Sequence, residues 1–251
     1  MELIKPGNVF LVTGATGAIG FEVAAQAAKA GAIVAVHGSR AEPVASAITR
    51  LNTRVAGAQL ISAAADFKRE GDIERMVAAV VAVTGRLDAV IHWGITGAAE
   101  VTGPLAKTNP ANYASHAALV LGTVQRLSFA VLPHLSIRGG TIISFASDAG
   151  RFGAPRQSLI GASFAGVMNF VRNLALEVSR DGVRVHCISP SFVENTPTFE
   201  QHVDRAGGAR GRAGLGLPSP EDIAPIVLFL CGPGATKITG QIISVNGGLN
   251  A

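Results

Sequence analysis

The sequence predicts an α/β fold, a doubly wound sheet of seven mostly parallel strands with helices on both faces. Three observations predict it. Short apolar, β-branched runs alternate with helical patterns along the 251 residues, the signature of parallel strands joined through helices. The first run ends in a glycine-rich turn, Thr13-Gly14-Ala15-Thr16-Gly17-Ala18-Ile19-Gly20, and a helical pattern follows at once. Hydrophobic residues make up 48% and charged residues 15%, enough to fill a large core.

The elements follow in order. Residues 9–12 are the first strand. The glycines after it allow a sharp turn and close approach to a phosphate, and the N–H groups opening the next helix face that anion. Phe21, Val23, Ala24, Ala27 and Ala28 carry the helical pattern, and Gly31 stops it. Residues 33–37 are a second strand, followed by the loop Gly38-Ser39-Arg40. Pro43 sits near the start of a helix reaching about Thr53. Residues 60–65 form a third strand that ends at Asp66. Ile73, Met76, Val77, Val80 and Val81 share one face of a helix over 72–84. A fourth strand spans 87–93, a long helix 111–132, a fifth strand 141–145, a second long helix 157–180 and a sixth strand 183–188. Residues 189–217 lack periodicity and are rich in turn formers, so they read as a loop or lid. A last helix over 220–230 is capped by Ser219, and 241–245 is the seventh strand. No linker interrupts the pattern, so 1–251 reads as one domain with a lid at about 190–217. In such a sheet ligands sit at the C-terminal strand ends, where the strand order reverses.

Composition narrows the partners. The net charge of +4 and pI near 9.5 suit an anionic cofactor and are weak grounds for nucleic acid. Cys187 and Cys231 lie in apolar runs and read as buried free thiols in a reducing compartment. Residues 1–6 are too short for a signal peptide, and no uninterrupted apolar run reaches the roughly 20 residues of a membrane span. A soluble cytoplasmic protein is expected, with no membrane and no nucleic-acid partner. His92, His116, His134, His186 and His202 are scattered without ligand-like spacing, so no metal site is expected. The Arg/Gly stretch 205–212 is short, lacks interleaved aromatics and reads as part of the lid.

Taken together, Thr13 to Gly20, Ala65-Asp66-Phe67, Gly85-Arg86-Leu87-Asp88, Gly140 to Gly150, Val183 to Ser191, and the series from Ser219-Pro220-Glu221-Asp222 to Asn246-Gly247-Gly248 resemble the short-chain dehydrogenase/reductase family over nearly the whole chain. The resemblance implies a Rossmann-type sheet, a nicotinamide dinucleotide, and a homotetramer or homodimer with the two long helices in one interface. It carries cofactor contacts to Gly14, Thr16, Gly17 and Ile19 in the turn, to Asp66 (which holds the adenine amine) and Phe67, to Trp93 and Gly94 after the fourth strand, and to Pro190, Val193 and Asn195 after the sixth. Ala18 stands where members of this length more often have glycine. The second strand lacks the acidic residue that would accept from a ribose 2′-hydroxyl. Ser39 and Arg40 stand there instead, and a guanidinium beside a hydroxyl suits a 2′-phosphate. NADP(H) is favoured, with NAD(H) the alternative.

The family's proton machinery is mostly missing. Ser147 matches the serine that polarises the carbonyl. Thirteen residues on, where the family has its tyrosine, stands Ile160, and four further, at the lysine position, stands Phe164. No Tyr or Lys lies between Gly139 and Lys237. Leu119 occupies the position of the family's helix asparagine. His92 is the candidate replacement acid, having an ordinary pKa near neutrality; packing inside the strand is the other reading. Ser147 either binds a ligand oxygen or finishes its strand. Asp148 is either a base that orients a substrate or a turn residue. Tyr113 and His116 lie at the pocket rim or on the surface. Two functions remain open: an NADP(H)-dependent oxidoreductase of divergent chemistry, and a silent cofactor-binding protein acting as regulator or partner subunit. Phe192, Phe199 and Leu215 in the lid suggest a partly apolar small-molecule ligand.

Overall fold

The computed structural model describes residues 3–93, 98–201 and 203–250. The strands are β1 (Val9–Thr13), β2 (Ile33–Val36), β3 (Gln59–Ser62), β4 (Ala89–His92), β5 (Gly140–Phe145), β6 (Val183–Pro190) and β7 (Ile242–Val245). They form one seven-stranded sheet in the order β3-β2-β1-β4-β5-β6-β7, with every pair parallel. The order reverses between β1 and β4, so the ends of those two strands lie side by side.

Side chains alternate across the sheet, and each face is buried. Val9 and Leu11 point into one apolar cluster with Val77, Val124, Leu127, Val167 and Val171. Phe10 and Val12 point into the other, with Val23, Ala24, Ala27, Val227 and Leu228. Phe10 and Leu11 are fully buried, and each such side chain contributes about 1.5–3 kcal/mol. The first cluster is covered by α3 (Asp72–Thr84), α5 (Thr123–Leu135) and α6 (Ser158–Val178). The second is covered by α1 (Ala18–Lys29), α2 (Ala41–Arg54) and α9 (Pro220–Cys231).

Several boundaries differ from the sequence reading. β3 stops at Ser62 rather than 65, because it is an edge strand paired only to β2; Ala63 and Ala65 continue with single bonds to the Val36 and Gly38 carbonyls. β6 runs two residues past 188, where Ser189 and Pro190 pair with Ser244 and Val245. Pro190 is tolerated because a proline that ends a strand withholds only one ladder donor. The first long helix is not uniform: α4 (Tyr113–Ala117) passes through a π-helical stretch, Ala118–Gly122, into α5. The presumed loop 189–217 contains two short helices, α7 (Pro197–Glu200) and α8 (Val203–Arg210). Their own small core comprises Phe199, Ala209, Ala213 and Leu217, and Arg210 Nε pairs with Glu194 at 2.5 Å. Asp222 accepts from both the N–H and the hydroxyl of Ser219, each at 2.8 Å, which closes the start of α9. The segments 110–135 and 158–181 are long and apolar enough to cross a membrane by composition; here each packs its inner face against the sheet. Cys187 is buried; Cys231 is half-buried as a residue, but burial of its thiol pushes the pKa up to about 12.

Candidate dinucleotide site

The turn after β1 owes its shape to two glycines. Gly14 has φ +67°, and a Cβ there would lie 1.7 Å from the Trp93 carbonyl oxygen. A Cβ at Gly20 would lie 2.4 Å from the Gly14 carbonyl oxygen. Neither position admits a side chain. Gly17 differs: its φ is −92° and a Cβ would meet only the Gly14 oxygen, at 3.5 Å. The fold itself places no demand for glycine there.

Beside this turn lies a cleft of about 320 Å³. Gly14, Thr16, His37, Ser39, Arg40, Asp66, Phe67 and Lys68 line it, and Leu119 reaches it from the π-helical stretch. Chain segments far apart in sequence meet here because β1, β2 and β3 are adjacent and parallel. Arg40 is exposed, and among the described residues it forms no ion pair. It immediately precedes the 14-residue helix α2, whose N–H groups open toward the same corner. Asp66 is engaged in its own turn, with Oδ1 accepting from the Lys68 N–H at 3.1 Å. Phe67 stacks on the His37 ring at 4.3 Å and 16°. The cradle barred to a Cβ, the two cations Arg40 and Lys68, and the hydroxyls of Thr16 and Ser39 fit the phosphorylated adenosine half of a dinucleotide.

The other expected contacts are spread out. Ile19 is 3% exposed and points into the core, leaving only its backbone for a ligand. Trp93 is half-buried, lies over Gly14 and meets Phe145 edge-on at 4.3 Å. Pro190 and Val193 are buried, and Asn195 is exposed with φ +58°. Gly94 lies outside the described residues.

His92 takes the packed position inside its strand that the other sequence reading gives it. It is 3% exposed and bonded through Nδ1 to Thr13 Oγ1 at 2.8 Å. Desolvation, with His37 adding to it, pushes its pKa down to about 3, so the ring is neutral near pH 7 and lies behind the cleft wall. Ser147 Oγ accepts from the Ala149 N–H at 3.3 Å, which caps a short turn over Asp148–Gly150. Asp148 is 2% exposed and accepts from Ser189 Oγ (3.0 Å), Ser244 Oγ (2.8 Å), Asn246 Nδ2 (2.5 Å) and Asn250 Nδ2 (3.3 Å). It ties the end of β5 to β6, β7 and the C-terminal segment, and has no freedom to act as a base. Ile160 and Phe164 are each 7% exposed and belong to the apolar cluster under α6. Tyr113 OH bonds Thr108 Oγ1 at 2.6 Å. His116 is buried rather than on the surface. Among the described residues no group of three or more His, Cys, Asp or Glu side chains forms a metal cluster.

The sequence places His37 at a strand end where ligands sit but assigns it no role. The signal was its place: the residue that follows β2, the strand next to β1, faces the turn that ends β1.

An all-parallel sheet with a glycine cradle at its order reversal defines the class of dinucleotide-binding α/β proteins. Residues 14–250 match the family model described as enoyl-(acyl carrier protein) reductase. The chain belongs to the short-chain dehydrogenase/reductase family. It is 31% identical over 246 residues to 3-oxoacyl-(acyl-carrier-protein) reductase FabG of Chlamydia trachomatis, covering 95% of this chain and 96% of that one. It is 31% identical to a putative ketoacyl reductase of Streptomyces coelicolor, covering 98% of each. A solved 7α-hydroxysteroid dehydrogenase, complexed with NADH and a 7-oxo bile acid, superposes with TM-score 0.90 at 25% identity and covers 98% of this chain and 96% of its own.

Proposed function

We propose that this chain binds NADP(H) and does not carry out the family's tyrosine–lysine carbonyl reduction, acting as a cofactor-binding regulator or partner subunit. One observation carries the reading. The two positions where the resemblance calls for a phenol and an ammonium hold Ile160 and Phe164, both packed into the core. The two nearby candidates are engaged elsewhere: His92 is buried and neutral, and Asp148 is held by four donors. Losing a general acid costs about 10²- to 10⁴-fold in rate.

Bound NADP(H) would supply a hydride. Gly17 leaves room for its phosphates, with the open N–H groups of α1 as donors, and Gly14 lets the turn close against Trp93. Arg40 and Ser39 would hold the 2′-phosphate, and Asp66 and Phe67 the adenine. Arg40 in place of an acid supports NADP(H) over NAD(H). The segment 190–217 would close over the partly apolar ligand as a lid. Exposed Phe129 and Leu176 on the long helices support a homodimer or homotetramer, and the free thiols fit a cytoplasmic setting.

A second reading rests on Ser147, which stays half-buried at the strand end with a hydroxyl that could hold a carbonyl oxygen. A substrate needing no tyrosine proton would then suffice for oxidoreductase chemistry. Titration with NADPH, followed by the emission of Trp93, tests binding; quenching is expected, and an unchanged signal at millimolar NADPH overturns the cofactor assignment. A panel of ketones and 3-oxoacyl thioesters tests chemistry. No NADPH oxidation above background is expected, and turnover at ordinary rates overturns the silent reading.

A further inference from the structure

The tip of the glycine-rich turn spends two backbone donors on one residue. The Gly14 N–H donates to His37 Nδ1 at 3.1 Å, and the Ala15 N–H donates to the His37 carbonyl at 2.9 Å. The second ring nitrogen, Nε2, lies 3.0 Å from the Ala65 carbonyl, which can only accept. The proton therefore sits on Nε2, and Nδ1 is the bare acceptor that the Gly14 N–H needs. The ring face stacks on Phe67 at 4.3 Å. One imidazole thus joins the turn after β1, the end of β2 and the segment carrying Ala65, Asp66 and Phe67.

Gly14 has little slack, since its φ is +67° and the Trp93 carbonyl closes the other side. A shift of the His37 acceptor would therefore pass into the turn. Burial holds the ring neutral, with its pKa pushed down to about 4. The charged and titratable groups facing it are His92 across Phe67, Asp66 and Lys68 on the segment after β3, and Arg40 at the opening of α2. Among the described residues none of them bonds to the ring.

We infer that His37 is the positioning residue of the dinucleotide cleft: its bare Nδ1 sets the glycine-rich turn, and its ring face sets the Phe67 wall. This rests on the NADP(H) reading and adds a residue that the resemblance does not assign. The phosphate donors are then the N–H groups of Thr16 and of the opening of α1, because those of Gly14, Ala15 and Gly17 are already committed, the last to the Gly14 carbonyl at 3.0 Å.

The test is binding of NADPH and of 2′,5′-ADP at pH 7.5 by the intact protein and by His37→Asn, His37→Gln and His37→Leu. The Asn Oδ1 stands where Nδ1 stood and can accept from Gly14. The Gln amide reaches toward Ala65 instead and leaves Gly14 without an acceptor. His37→Asn is expected within about threefold of the parent affinity, with His37→Gln and His37→Leu weaker by about tenfold or more. If Gln and Leu fail to fold while Asn folds and binds, the same acceptor role is supported. Equal affinity in all four proteins, equal loss in Asn and Gln, or failure of all three variants to fold overturns the inference. A parent protein that binds neither probe overturns the cofactor reading and this inference with it, whereas a parent that binds alongside equally competent variants overturns the inference alone.

Discussion

Asn246 Nδ2 donates to Asp148 Oδ2 at 2.5 Å, joining residues 98 positions apart inside the protein. The carboxylate of Asp148 is the common acceptor for β6, β7 and the C-terminal segment, at the place where a catalytic base was conceivable from sequence. Buried carboxylates persist only where donors surround them, and here the donors are all neutral. Asp148→Ala is expected to cost about 2–4 kcal/mol in urea unfolding. Asn246→Asp puts a second carboxylate against the first, and two so close cannot both ionise. The folded variant then holds a proton that the unfolded chain has released, so its stability relative to the parent should be higher at pH 5 than at pH 8.

Four buried histidines, His37, His92, His116 and His186, make the fold acid-labile. Desolvation pushes His37 and His186 down to about 4 and His92 to about 3, from an ordinary value of 6.5. The unfolded chain binds their protons first as pH falls, so their contribution is complete above pH 6.5 and is lost toward pH 4. A 2.5-unit depression corresponds to roughly 3 kcal/mol per ring at the limit. Urea midpoints should fall steeply from pH 6.5 to pH 4.5. A flat profile over that window would count against the buried, neutral rings.

Phe164→Lys places an ammonium in the apolar cluster under α6. The structure predicts a loss of about 3 kcal/mol or more at pH 7. A lysine depressed by burial is protonated more readily in the unfolded chain, so stability should recover as pH rises toward 10. Stability unchanged at pH 7 would mean that the position opens to water and that a catalytic lysine could be restored there.

Arg40→Ala should weaken NADPH by about 10- to 100-fold and leave NADH within twofold, because a charge-assisted bond to the 2′-phosphate is worth about 1.5–3 kcal/mol. Titrations of both reduced cofactors check it. Equal loss for the two would assign Arg40 to the opening of α2 rather than to the phosphate.

Much of this protein was legible in one dimension. Short continuous apolar runs, helical periodicity and the glycine stop signals fix which segments are strands and helices, because local sterics and solvent exclusion act over a few residues. The helix over 72–84 needed no correction. The cleft members Gly14, Thr16, Ser39, Arg40, Asp66 and Phe67 could also be named, since parallel strands deliver their C-terminal ends to one edge. The absence of tyrosine and lysine at 160 and 164 is likewise plain in the chain itself. What waited for the tertiary structure was every role that depends on burial and on partners distant in sequence. His92 reads as an acid until the sheet seals it, because pKa follows desolvation rather than residue type. Asp148 reads as a base until four donors from remote segments surround it. His37 acquires a function only when β2 lies against β1 and its Nδ1 meets the Gly14 N–H.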